Sequence, residues 1–288
     1  MNESGTSLQD LRNEIDAIDA EMHGLIMRRA ALVERIRMVK ARDSVTTVRP
    51  GREADIMRAL AARHNSNFPF PAIARIWREI IANITRMEMP EYAVAVYPGA
   101  ETPGCWDLAR DQFGSATPMT AFGSAREVLG EVSAKNAVVG VLPCPREGDD
   151  DPWWINLAVQ DGLRVSYRLP FSPRVATPGG ENRLEAFAVG RIVLEESAND
   201  RSLIVIETGQ ALSRAGLSTL LDKAQITGQP IASHNGGGWY YLIEADGFFA
   251  DSDPRLEELA KLEAVARCIM VGAYATPLDE TEVPKAAS

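Results

Sequence analysis

Arg29 and Lys40 stand eleven residues apart, Arg12 lies seventeen residues before Arg29, and the pair Arg52-Glu53 follows a short way downstream. On an α-helix eleven residues make three turns, so Lys40 returns nearly to the face of Arg29 at an axial separation of about 16 Å. Two long cationic side chains leaning inward from that spacing can close on one small dianion. Arg12 would sit about 25 Å down the same rod, too far to reach that anion within its own chain. In an antiparallel dimer, Arg12 of one copy can fall beside Arg29 of the other. Arg52 adds a cation, and Glu53 and Glu88 add carboxylates. The set holds no serine–histidine pair, no cluster with metal-ligand spacing and no glycine-rich phosphate loop. It can bind and shape a dicarboxylate, but it offers no nucleophile.

The element that carries three of these cations is a long helix. Read as heptads, one core position holds Leu8, Ile15, Met22, Arg29 and Ile36, and the other holds Leu11, Ile18, Leu25, Leu32 and Val39. Nine of the ten are apolar, which predicts one helix of roughly 35 residues with a coiled-coil-like seam. Arg29 interrupts that seam. A charge buried there costs several kcal/mol unless an anion meets it; a buried salt bridge or a snorkelling side chain is the alternative. Ser7 suits the N-cap, with Asp10 three residues on as a capping-box partner. A second helix is expected from Pro50 through Arg52, Ile56, Leu60 and Ala61. A third is expected from about Pro71, carrying Ile73, Ile76, Trp77, Ile80, Ile81 and Ile84, with Pro90 as its stop. One long and two shorter helices cannot close a core alone, so the exposed seam predicts pairing with a second copy.

The chain has 288 residues, enough for two or three domains, and a net charge of −10, which argues against a nucleic-acid partner. No apolar run approaches a membrane span, and Met1-Asn2-Glu3-Ser4 does not read as a signal peptide. Cys105, Cys144 and Cys268 are scattered without metal spacing, which fits reduced thiols of a cytoplasmic protein. Neither a cofactor nor a metal is expected. From Tyr92 the texture becomes α/β, with strands at 93–96 and 137–142 and helices at 107–113 and 125–133. The acidic run Glu147 to Asp151 reads as a solvated loop, and Trp153-Trp154 as packing residues. Further on, strands are expected at 202–207, 239–244 and 269–274 and helices at 211–224 and 254–263, before a polar tail.

Taken in order, Leu11-Arg12, Ile15, Ile18-Asp19, Arg28-Arg29, Lys40, Arg52-Glu53 and Trp77-Arg78-Glu79-Ile80-Ile81 resemble the all-helical chorismate mutase family found fused to prephenate dehydratase. The resemblance covers residues 8–90 and implies a helical homodimer acting on chorismate. It implies that Arg29, with Arg12 from the partner chain, clamps the two carboxylates. Lys40 would donate to the enolpyruvyl side chain and its ether oxygen. Glu53 would accept from the ring hydroxyl, and Arg52 would add a polar contact. Glu88 falls where the family places a Gln or Glu on the same ether oxygen. A carboxylate cannot donate a hydrogen bond, so Glu88 must be protonated there; activity should then fall as pH rises. Two departures stand out. Arg49-Pro50-Gly51 occupies the place where some members carry an acid, and Ile84 the place where some carry a serine.

Residues 91–198 resemble a prephenate dehydratase domain of periplasmic-binding-protein-like fold, with its motifs replaced. Pro98-Gly99-Ala100-Glu101-Thr102-Pro103 stands for a stretch ending Gly-Thr-Phe-Ser, and Pro143-Cys144-Pro145-Arg146-Glu147 for Pro-Ile-Glu-Asn-Ser. Asn182-Arg183-Leu184-Glu185-Ala186-Phe187 stands where Thr-Arg-Phe belongs. These losses predict no dehydratase activity. Residues 199–280 resemble an ACT domain of βαββαβ order, which implies an aromatic amino-acid effector. Ala232-Ser233-His234-Asn235 replaces the family's Glu-Ser-Arg-Pro, Gly216-Leu217 stands near its Gly-Ala-Leu, and His234 reads as either a loop residue or a contact. Residues 281–288 are expected to be a disordered tail. The expected architecture is thus multi-domain: an all-α mutase module at 1–90, then α/β, then α+β. The alternative is a non-catalytic dimeric regulator sensing an aromatic amino acid.

Overall fold

Helix α1 (Leu8–Asp43) runs 36 residues, about 54 Å, and carries the heptad seam along its length. Its start is the anticipated capping box. Asp10 N–H donates to Ser7 Oγ at 3.1 Å, and Ser7 N–H donates to the Asp10 carboxylate at 3.0 Å. Those bonds hold the Asp10 carboxyl below its usual range. The seam residues Leu8, Leu11, Ile15, Ile18, Met22, Leu25, Leu32 and Ile36 all open to solvent, Ile15 at 56% and Leu32 at 54%. This computed structural model describes residues 7–43, 48–99, 104–160, 162–173, 184–279 and 281–283, with the backbone alone at 37–43. Most of the expected tail lies outside the described residues.

The chain divides into two compact units, 1–47 and 48–288. The second begins with α2 (Pro50–Arg63) and α3 (Phe70–Glu88), close to the expected helices. Their apolar positions do not stop at the expected boundary of residue 90. Ala54, Met57, Leu60, Phe70 and Ala74 share one core with Phe171, Ala275 and Leu278. Arg49 pairs with Glu195, and Arg58 donates to Ser197 Oγ and to the Asn199 and Thr276 carbonyls. The physical reason for this shared packing is plain: a two-helix hairpin buries too little alone, and the sheet body completes it.

That body is a single sheet of nine strands. They are β1 (Val94–Val96), β2 (Met119–Ala121), β3 (Val139–Pro143), β4 (Arg164–Leu169), β5 (Ala186–Gly190), β6 (Asp200–Thr208), β7 (Gly228–Asn235), β8 (Trp239–Asp246) and β9 (Val265–Ala275). The spatial order is β2-β1-β3-β5-β4-β9-β6-β8-β7, with β1 parallel to β2 and β3 and the remaining pairs antiparallel except β4 with β9. Helix α4 (Gly104–Phe113) covers one face of the first half, and α5 (Ala125–Ser133) with a short 3-10 turn at Trp153–Ala158 covers the other. Val94 and Val96 face the α4 side and Ala95 the α5 side, which is why β1 is apolar throughout. Trp153 and Trp154 are buried as expected.

The last four strands, with α6 (Arg214–Lys223) and α7 (Pro254–Ala260), follow the order βαββαβ. Ile204 and Ile206 of β6 pack under these helices, whereas Leu203 and Val205 join the α5 core of the first half. The sheet and one shared core therefore both continue across the expected boundary at 198/199. The joint is parallel, with Val165 opposite Gly272. A Cβ on Gly272 would lie 2.5–2.7 Å from Val165 atoms, so only glycine permits this approach. Arg168 crosses the joint: it pairs with Glu185 at 2.9 Å and with Glu244 at 2.7 Å and donates to Tyr274 Oη. Cys144, whose thiol burial pushes well above its ordinary range, lies within the reach of that charge. His234 belongs to β7 opposite Tyr240, not to a loop.

Candidate functional site

In the first unit, Arg12 is exposed and Arg29 half-buried on α1, eleven residues before Lys40. The Lys40 side chain lies outside the described residues. In the second unit, Arg52 and Glu53 are neighbours in the first turn of α2 and point to different environments. Arg52 is exposed, whereas the Glu53 side chain is 14% exposed. Glu88, half-buried, is the last residue of α3.

Glu53 lies inside a polar cluster that the sequence did not announce. Arg78 Nη1 donates to its Oε2 at 2.8 Å, Gln112 Nε2 to the same oxygen at 3.3 Å, and Tyr167 Oη to Oε1 at 3.0 Å. Four elements meet there: α2, α3, α4 and β4. The Arg78 side chain is 7% exposed, and its guanidinium lies 5.5 Å from the centre of the Phe171 ring, with Arg58 at 5.7 Å from the same ring. Tyr167 meets Phe113 edge-on at 5.6 Å. Helix α4 can approach α3 because Gly114 (φ +85°) follows its last residue, where a Cβ would meet that of Ala82 at 2.6 Å. Ser115 N–H then donates to Glu79.

Electrostatics inside this cluster oppose one another. Burial pushes the Glu53 carboxyl upward, while the charge of Arg78 and the hydrogen bonds from Tyr167 and Arg78 pull it back. Burial likewise lowers Arg78, and the Glu53 charge raises it. A guanidinium keeps its proton in proteins, so the short contact is an ion pair. Tyr92 and Tyr167 are both raised well above the phenol range, by burial first and then by the Glu53 charge, so Tyr167 remains a donor.

Arg78 was legible in principle by the argument that singles out Arg29. It stands on the buried face of α3 with Phe70, Ala74, Ile81 and Ala82. The expected stripe through Ile73, Ile76 and Ile80 obscured it; Ile76 is in fact 41% exposed. Beside the cluster lies an open cleft of about 640 Å³ lined by Pro69, Arg75, Leu108, Asp111, Gln112 and Phe171, among others. Arg75 is already paired with Asp111 across it. Among the described residues no group of three His, Cys, Asp or Glu could hold a metal.

Residues 11–89 match the sequence family described as chorismate mutase type II. The N-terminal part of this chain is a chorismate mutase type II domain. The match begins one residue before Arg12, runs one residue past Glu88, and so takes in every expected site residue. A bifunctional chorismate mutase/prephenate dehydratase of Aquifex aeolicus is 32% identical over 140 residues, 47% of this chain and 38% of that protein. The protein of the same description from Pseudomonas aeruginosa is 28% identical over 141 residues, again 47% and 38% of the two chains. The chain thus spans well under half the length of these curated relatives. A prephenate dehydratase of Arthrobacter aurescens, solved with L-Phe, superposes with a TM-score of 0.47 at 15% identity, over 65% of this chain and 92% of that one.

Among the described residues, no helix is long and apolar enough to cross a membrane. The type II domain spans the division between the two compact units, with α1 in the first and α2 and α3 in the second.

Proposed function

We propose that this protein is a chorismate mutase that rearranges chorismate to prephenate as a homodimer, with neither cofactor nor metal. The observation that carries the reading is the family match over the segment holding Arg12, Arg29, Lys40, Arg52, Glu53 and Glu88. Arg29 and the Arg12 of a second copy clamp the two carboxylates, and Arg52 adds a polar contact. Lys40 and a protonated Glu88 donate to the ether oxygen. The rearrangement needs no covalent step. Holding the enolpyruvyl chain over the ring and stabilising the charge that grows on the ether oxygen lower the barrier. Glu53 keeps one of roughly four acceptor positions beyond its three donors, enough to accept from the ring hydroxyl. The exposed α1 seam supports the dimer, in which the partner's Arg12 is required.

The α/β body works without dehydratase activity in this reading, because all three motif positions hold other residues; Cys144, for example, is a half-buried thiol following β3. The βαββαβ order of β6 to β9 supports an ACT-like module and, with it, an aromatic amino-acid effector. A second reading, a silent dimeriser, draws on the burial of Glu53 in an ion pair. Loss of chorismate's ultraviolet absorbance with purified protein distinguishes the two. We expect turnover by the wild type and a loss of about 100-fold or more in kcat/KM for Arg29→Ala with unchanged circular dichroism. Unaffected turnover in that variant overturns the site assignment, and phenylpyruvate formed from prephenate overturns the dehydratase reading.

A further inference from the structure

A glutamate one turn into an exposed helix ordinarily swings through many rotamers. Glu53 does not. Both of its oxygens are engaged, and each donor is itself immobilised: Tyr167 is 6% exposed against Phe113, Gln112 is 6% exposed near the end of α4, and Arg78 lies against Phe171. Two of the three donors come from 59 and 114 residues downstream, outside the type II domain.

We propose that Tyr167 and Gln112, with Arg78, are positioning residues for Glu53, so that the α/β body supplies part of the chorismate site. The inference rests on the mutase reading above. The three donors fix the carboxylate and leave one acceptor position for a substrate hydroxyl. Arg78 and Tyr167 also pull its carboxyl back down against the upward push of burial. The charged and titratable groups facing it are Arg78 from α3, Tyr167 from β4 and Tyr92 from the segment before β1. A protonated Glu53 is a poorer acceptor, so binding weakens when it takes up a proton. Removing the Tyr167 hydroxyl removes a bond made to the charged form, and protonation then sets in at higher pH.

The test is the pH dependence of KM and kcat for chorismate in the full chain. The wild type should show KM rising on the acid side while kcat changes little, the mark of a contact equal in ground and transition states. In Tyr167→Phe that rise should begin at higher pH, and at its acid end KM should lie about tenfold above the plateau, as loss of a charge-assisted bond implies. Gln112→Leu should shift the profile the same way by less, since its bond is longer. In a Glu53→Gln background the rise should vanish, and adding Tyr167→Phe should move nothing. Wild-type profiles in folded Tyr167→Phe and Gln112→Leu overturn the inference, as does the same shift in the Glu53→Gln background. Should Tyr167→Phe fail to fold, Gln112→Leu decides alone. A wild type without turnover overturns the mutase reading, and this inference with it.

Discussion

Replacing Arg78 by Met leaves Glu53 a buried carboxylate whose counter-ion has gone. The two side chains are 7% and 14% exposed, so solvent can replace little of what is lost. Breaking one side of such a pair costs about 3–5 kcal/mol. A unit of this size loses about 2–4 °C of Tm per kcal/mol, so a fall on the order of 10 °C is expected. The loss must depend on pH, and its sign follows from the direction of the shift. Burial raises the folded-state carboxyl of Glu53 above its unfolded value, so its ionisation destabilises the fold progressively as pH climbs from the ordinary carboxylate range through the raised one. Without Arg78 that window extends upward, and the variant should be hurt more at pH 8 than at pH 5. A smaller, pH-independent part comes from the contact with Phe171. Adding Glu53→Gln should recover much of the pH-8 loss. Urea unfolding at both pH values, on the single and double variants, measures all of this. A loss under about 1 kcal/mol at pH 8, or equal losses at the two pH values, refutes the reasoning.

Two further outcomes probe the first unit and the end of α3. Leu25→Asp places a charge on the exposed seam, so light scattering should report a monomer and chorismate turnover should collapse, because Arg12 must come from the second copy; a dimer with wild-type turnover refutes the shared site. For Glu88→Gln, which donates at every pH, mutase activity at pH 8–9 should rise above wild type and the profile should flatten. A wild-type rate that stays flat from about pH 5 to 9 removes Glu88 from the ether oxygen.

Local signals in the sequence were sufficient for the helices. Ser7 and Asp10 announced the start of α1, Pro50 that of α2, and the heptads gave α1 its seam, because each of these is decided by residues within a turn or two. The strands β1, β3, β6, β8 and β9 were legible as apolar runs. Strand β4 was not: Arg164, Ser166 and Arg168 alternate with its apolar residues, and its partner β9 lies far along the chain. The same distance hid the surroundings of Glu53. Its pairing with Gln112 and Tyr167 depends on contacts that no spacing rule reaches, and Arg78 was masked by a denser isoleucine stripe turned partly to solvent. The packing of α2 and α3 on the body is non-local for a related reason. Composition changes at residue 90, but Phe171, Ala275 and Leu278 complete the core of α2 and α3.

The seam between Val165 and Gly272 also has a history within each molecule's lifetime. Strand β4 leaves the ribosome with one side paired to β5 at the earliest opportunity, and its other side must wait for β9, some hundred residues later. At typical elongation speeds that interval is about 5–20 s, during which an unpaired edge and half of the shared core face the cell. In the finished sheet β9 lies against this edge, yet the nascent chain must carry it. Translation speed across 170–272, or a chaperone engaging during that interval, would therefore bear on the yield of folded protein.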